Sequence, residues 1–253
     1  MHRLVSGFIL LFATSAFAAE PPLPAEERTA MLAEFTTQVA TLTNAITATP
    51  RETDLYSRRG DRHLFLGRFA DAVTDFEKEI SLDATRDAPH WRLGIAYYFA
   101  GQFAKSAGQF AKYHAHDNRD RENGLWKMLG DAKVIGLERA RRAMLPYTRF
   151  DREPFPTLYE MFAGTKTTAA FLADLRDRKL ADNPRVMFFA HYYAGLNEEL
   201  LGRRTEAITL LREAVANPWG RTAEGGPAYM WQAARLHYET LSAAERSETA
   251  RKR

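Results

Sequence analysis

Apolar residues recur at steps of three and four along nearly the whole chain, the spacing of a helix with one buried side. Met31, Leu32, Phe35, Val39, Leu42 and Ile46 predict a first helix over about 25–48, closed by Thr49-Pro50. Ahead of it, Pro21-Pro22-Leu23-Pro24 reads as an extended spacer, because each proline fixes φ and removes a donor. Over 53–86 the pattern predicts a helical hairpin. Its first helix carries Tyr56, Gly60 and His63, its turn lies at Gly67-Arg68, and its second helix carries Phe69, Ala72, Phe76 and Ile80. A second hairpin over 87–120 carries His90, Gly94 and Tyr97, then Gly101, Phe103, Ser106, Phe110 and Tyr113. A last helix over about 227–241, with Met230, Trp231, Ala234, Leu236 and Tyr238, is placed to cap the open end, and the polar tail 242–253 is expected to fray.

The two hairpins are copies of each other. In steps of 34, Gly60 meets Gly94, Gly67 meets Gly101, Phe69 meets Phe103, Ala70 meets Ala104, Phe76 meets Phe110 and Lys78 meets Lys112. That period is the signature of the tetratricopeptide repeat (TPR), a helix–turn–helix unit that stacks into a solenoid. A third copy over about 188–221 repeats the spacing with Gly195 and Gly202, then Ala207, Leu211, Ala214 and Pro218, although Arg204 stands where the aromatic stood. The stretch 121–187 opens like a repeat with Trp126, Leu129 and Gly130, then is interrupted by Pro146, Pro154 and Pro156. Short helices at 157–163 and 167–179 complete two decayed units. The expected class is therefore all-α, a TPR-type α-solenoid with capping helices at both ends. The expected divisions are 1–18, 19–52, 53–120, 121–187, 188–241 and 242–253.

Composition narrows the setting. Arg3, the apolar run 4–13 and Ala16-Phe17-Ala18 fit a secretory signal peptide cleaved after Ala18, which predicts a periplasmic or secreted protein without stable membrane insertion. With no cysteine there are no disulfides and no thiolate metal sites, and a lipidated cysteine at the cleavage site is excluded. A net charge of +3, with basic clusters interleaved by acids, speaks against a nucleic-acid surface.

In a TPR stack the concave groove is lined from repeat positions 2, 5, 9, 12 and 13 of each first helix. Here those are Asp54, Ser57, Asp61, Leu64 and Phe65; Ala88, Trp91, Ile95, Tyr98 and Phe99; and Phe189, Tyr192, Leu196, Glu199 and Leu200. The rings suit peptide recognition, or else they are buried by the helices of 121–187 folding into the groove. His114, His116 and Asp117 are close in sequence, but positions i and i+2 of a helix point apart, and no His-Glu-x-x-His occurs, so no metal or other cofactor is expected. No nucleophile elbow, Walker loop or dinucleotide fingerprint is present, and Glu77, Glu79, Glu198 and Glu199 read as helix-surface charges, so no enzymatic activity is expected. A competing reading has the irregular middle forming a cleft for a small ligand or glycan, with Trp126 and Tyr159 as stacking surfaces, or an unrecognised active site there.

Gly94-Ile95-Ala96-Tyr97-Tyr98, then Gly101-Gln102 and Leu125-Trp126, resemble the central part of the bacterial periplasmic lipoprotein NlpI family. So do 158–164 with 171–175, and 210–217, so that the likeness runs over roughly 55–240. The resemblance implies an all-helical, dimeric adaptor that brings a protease together with cell-wall hydrolases. Lacking the lipidated cysteine, this chain does not share the implied outer-membrane anchor. The expected function is an envelope adaptor or scaffold binding another protein or peptide. A homodimer through the 25–48 helix is also expected, because its apolar stripe exceeds what capping one repeat requires.

Overall fold

Among the described residues, five helix pairs stack in chain order between a long helix at each end. In the computed structural model, which describes residues 22–149 and 151–251, α1 (Ala25–Ala48) precedes the pairs α2 (Thr53–Phe65) with α3 (Phe69–Leu82) and α4 (Trp91–Phe99) with α5 (Phe103–His116). The middle pairs are α6 (Arg121–Ile135) with α7 (Leu137–Arg142) and α8 (Phe155–Phe162) with α9 (Thr168–Asp177). Then come α10 (Pro184–Leu200) with α11 (Arg204–Ala216), the short α12 (Pro218–Thr222) and α13 (Gly226–Arg251). The described residues contain no strand, and none of their helices is long and apolar enough to cross a membrane. The chain is an all-α, TPR-like solenoid with helical caps. The signal-peptide assignment at 1–18 lies outside the described residues.

Sterics explain why the glycines repeat. A Cβ on Gly60 would sit 2.6 Å from the Phe76 ring, one on Gly94 would sit 2.6 Å from the Phe110 ring, and one on Gly195 would sit 2.9 Å from Leu211. In each repeat a glycine of the first helix is the socket for a large side chain sixteen residues on, so the two helices touch backbone to side chain. The turn glycines have a different reason. Gly67, Gly101 and Gly202 have φ of 75°, 73° and 76°, and the residue after each donates to the carbonyl five residues back, as in Arg68 N–H to His63 O at 2.8 Å. This is the Schellman stop that glycine serves best.

Lys179 ends α9 with the same bond, Leu180 N–H to Leu175 O at 2.8 Å, but at φ 57° with a full side chain. Lys179→Gly is expected to stabilise the fold by about 1 kcal/mol, read as a raised urea midpoint at unchanged slope.

The first helix touches the last. The α1 stripe packs on α2, and its other edge lies on α13 through Arg28 and Glu239 (2.7 Å) and through Met31 beside Gln232. Leu23, in the proline-rich segment read as a spacer, is buried in the core. Of the stripe, Leu42 and Ile46 are buried and Met31 and Phe35 pack against the core, while Leu32 and Val39 stay half-buried. The last helix also exceeds its expected length. It packs on α11 as a cap, then continues past 241 to Arg251, held by an Arg204–Glu248 ion pair of 2.6 Å, with Ser242 buried.

Candidate functional site: the inner face and the cavity beside its resident helix

The inner face of the stack is occupied by α13. Tyr229 meets Phe65 edge-on at 5.0 Å and Trp91 at 4.8 Å. Eight residues on, His237 lies 4.5 Å from Phe99 and 5.7 Å from Tyr98 between ring centroids, and its Nδ1 is 3.0 Å from the Tyr192 hydroxyl. The groove positions named from the repeat register therefore do come together. Phe65, Ile95, Tyr98, Phe189, Tyr192 and Leu196 are buried, as are Ser57 and Leu64, while Trp91, Phe99 and Leu200 are half-buried against the core. They are covered both by α13 and by the 121–187 stretch, from which Trp126 packs on Tyr98 at 5.5 Å and Phe155 on Phe189 at 5.2 Å. A continuous apolar face of this size is not left open in water, and the last helix supplies the matching rings.

The charged groove positions serve as struts between helices. Exposed Asp54 pairs with Arg86 at 2.7 Å, Asp61 with Arg92 at 2.8 Å, and Glu199 with Lys133 at 3.0 Å. Ala88 precedes α4, in the connection after the 3₁₀ turn Ala84–Arg86. Burial pushes the Asp61 carboxyl up to about 6, against the pull of Arg92 and Arg62. Two glutamates read as surface charges are buried. Glu79 accepts from His90 Nε2 at 3.0 Å and Arg86 at 2.9 Å, and Glu198 is held by Thr168 and by Arg203 at 3.1 Å. Burial works against the Glu79 charge, yet the hydrogen bonds from His90 and Arg86 hold it down at about 2. Both acids tie one repeat to the next, which the local sequence around them did not reveal.

Arg235 and His237 carry polar chemistry into the middle of the inner face. The Arg235 guanidinium is buried and reaches the Phe65 carbonyl at 2.5 Å, Gln232 at 2.8 Å and Glu239 at 3.0 Å, so every arm is engaged. Desolvation lowers the His237 ring to about 4, which keeps it neutral. His114, His116 and Asp117 form no shared site; His114 packs edge-on against Tyr147 at 4.9 Å. No three His, Cys, Asp or Glu among the described residues are placed to hold a metal ion.

Beside the start of α13 the inner face is not filled. A cavity of about 290 Å³ opens there, walled by Trp91, Ile95, Phe110, Tyr113, Trp126, Phe189 and Met230. Its polar lining is Asp120, Glu122, Asn123, Arg152 and Arg185, completed by Gly226 and Pro227. The helix order places it: Trp91, Glu122 and Arg185 sit in the first turns of α4, α6 and α10, which share one edge of the stack. Asp120 caps α6 by accepting the Glu122 N–H at 3.0 Å. Arg152 lies over the Phe155 ring at 4.2 Å and is shared by three carboxylates, Asp120 at 3.1 Å, Asp151 at 3.2 Å and Glu122. The Tyr193 hydroxyl donates to Glu122 at 2.6 Å. Burial, with Asp120 and Asp151 nearby, pushes the Glu122 carboxyl up to about 7 despite Arg152.

Of the two rings named for a cleft in the irregular middle, Trp126 lines this cavity and stacks on Phe110 at 6.0 Å, whereas Tyr159 does not. Its hydroxyl donates to the Leu145 carbonyl at 2.7 Å and its ring packs on Tyr147. Glu122, Arg152 and Arg185 were missed. The first reads as an ordinary acidic residue in a first helical turn, and Arg152 belongs to a proline-broken stretch with no period to place it.

No family model matches the chain. A protein described as an Hsp70-Hsp90 organizing protein, from Triticum aestivum, is 30% identical over 144 residues, which cover 57% of this chain and 23% of that protein. The chain thus matches less than a quarter of the length of that relative. The likeness and the helical stack together support a protein–protein interaction module in general.

Proposed function

We propose that this chain is an exported, non-enzymatic adaptor of the bacterial cell envelope that holds a partner protein at the edge of its stack where α4, α6, α10 and α13 begin. One observation carries the reading. α13 covers the inner face elsewhere, but leaves a cavity with aromatic walls and charged groups at this edge. Interfaces draw their energy from such pockets, in which one anchoring side chain is desolvated. The pattern of 1–18 supports export, and the likeness to the NlpI family supports a role between a protease or cell-wall enzyme and its client. A relative named for organising two other proteins fits the same class of work. The half-buried Leu32 and Val39 of the α1 stripe leave a homodimer through the 25–48 helix as part of the proposal.

Photo-crosslinkers placed in cells at Tyr113 and Arg185, on the cavity lining, and at exposed Lys78 on α3 test the proposal. Adducts with one protein at the first two positions and none at Lys78 are expected. Absence of protein adducts at the cavity positions, or equal labelling at Lys78, would overturn the reading. The cavity's size also suits a small ligand, the second reading, for which the same experiment yields no protein adduct.

A further inference from the structure

The cavity beside α13 has a chemical preference that follows from its walls. Three carboxylates converge on a single guanidinium, so the Asp120, Glu122, Asp151 and Arg152 cluster holds more negative than positive charge. Arg121 does not offset this by direct pairing. Its backbone N–H donates to Asp151 at 2.8 Å, while its guanidinium is engaged by the carbonyls of Arg149 and Tyr147. Within the cluster Asp120 uses only Oδ1, for the Glu122 N–H and for Arg152, and Oδ2 retains its acceptor capacity. The raised Glu122 carboxyl reflects the same excess, because burial and its acidic neighbours outweigh Arg152.

Around this charge stand Trp91 and Tyr113, whose ring faces attract cations, with the edge of buried Trp126, stacked on Phe110, closing the wall. Ile95 and Met230 provide apolar wall for an aliphatic stem. Arg185 at the lining is exposed, so water screens its repulsion. A metal ion does not suit the arrangement, because the centre of the carboxylates is already taken by the Arg152 guanidinium.

We infer that this cavity is a binding site for an organic cation, an ammonium or guanidinium carried on an apolar arm, with Asp120 Oδ2 meeting the charge, Glu122 adding to the negative field beside it, and Trp91 and Tyr113 flanking the stem. The basic side chain of a partner protein and a free amine offer the same group. Only the first source rests on the adaptor reading; the preference for a cation stands on the cavity alone.

The tryptophans in the wall provide the readout, intrinsic fluorescence with calorimetry as a check. Full-length mature chain is titrated with n-butylammonium, n-butanol and butyrate, and with the blocked tripeptides acetyl-Gly-Arg-Gly-amide and acetyl-Gly-Gln-Gly-amide. For so small a ligand the expected dissociation constant for n-butylammonium is on the order of 1 mM. Butanol and butyrate are expected to bind at least about tenfold more weakly, a difference of roughly 1.4 kcal/mol. Glu122→Gln keeps the shape and two of the three acids on Arg152, and is expected to weaken n-butylammonium by about tenfold with an unchanged thermal midpoint. Should that variant fail to fold, Trp91→Leu, expected to weaken the cation more than butanol, takes its place. Tighter binding of the arginine tripeptide than of the free amine assigns the source to a protein, and the reverse assigns it to a free amine; either supports the site. Equal binding of butanol and n-butylammonium, or no cation binding, overturns it, and neither result bears on whether the chain crosslinks to a partner.

Discussion

A chain ending at Glu224, without α13, is expected to lose cooperative thermal unfolding at 25 °C. The helix contributes Tyr229, Met230, Trp231, Leu236 and His237 to the buried interior, together with Ala233 and Ala234. Removing one large buried side chain costs about 3–5 kcal/mol, and a domain of ordinary stability holds about 5–15 kcal/mol in all. Five such losses, about 15–25 kcal/mol together, reach or exceed that total even before the exposed inner face is counted. Phe65, Trp91, Tyr98, Phe99 and Tyr192 would then face water together. Far-UV dichroism is expected to retain helix without a sigmoidal melt, while near-UV dichroism is lost, as when packing fails but helices persist. A synthetic 226–251 peptide added in excess is expected to restore the melt, because a ligand that binds only the folded state shifts the equilibrium by mass action. A truncated chain that melts within a few degrees of the parent would show that α13 is a lid rather than core.

The repeat was legible in the sequence because its constraints are local and steric. Gly94 must admit Phe110, and Gly101 must turn left-handed, so both recur wherever the hairpin recurs. The same register named the residues of the inner face, since a helix position fixes a direction. What register does not encode is which distant segment lies against that face. Tyr229 and His237 are about 140 residues from Trp91 and Phe99 in sequence, and their helix shows an ordinary apolar stripe that fits a cap as well as an inner strut. Buried Glu79 and Glu198 were illegible for a related reason. Each looks like a surface acid until its partner from a neighbouring element, His90 or Thr168, is placed beside it. The cavity was half legible. Trp126 follows from the repeat pattern, while Arg152 comes from the segment between α7 and α8 whose prolines erase the period.

Replacing His237 by Phe is expected to remove a loss of stability on acidification. In the folded chain the ring is neutral, lowered to about 4 by burial among Tyr98, Phe99, Trp126 and Tyr192, whereas an unfolded chain holds it near the ordinary value of about 6.5. Between those values the unfolded state binds the extra proton, so stability falls as pH falls. The contribution is intact above about pH 6.5, diminished by about 2 kcal/mol at about pH 5, and by about 3 kcal/mol at about pH 4. Histidines 63, 114 and 191, also lowered by burial, act with the same sign. Asp61 and Glu122, raised by burial to about 6 and about 7, act with the opposite sign, because the folded chain takes up their protons first. The parent's own profile is therefore shallow, and the decisive quantity is the difference between variant and parent. His237→Phe keeps a ring of similar size but leaves the Tyr192 hydroxyl without its partner, a cost of about 1–3 kcal/mol that does not depend on pH in this range. Urea titrations at about pH 7.5 and about pH 5 should show the variant gaining about 2 kcal/mol on the parent as the pH drops. A difference that stays constant across the two conditions would mean that His237 takes up its proton in the folded state, which the ring-lined interior around it could hold only by admitting water.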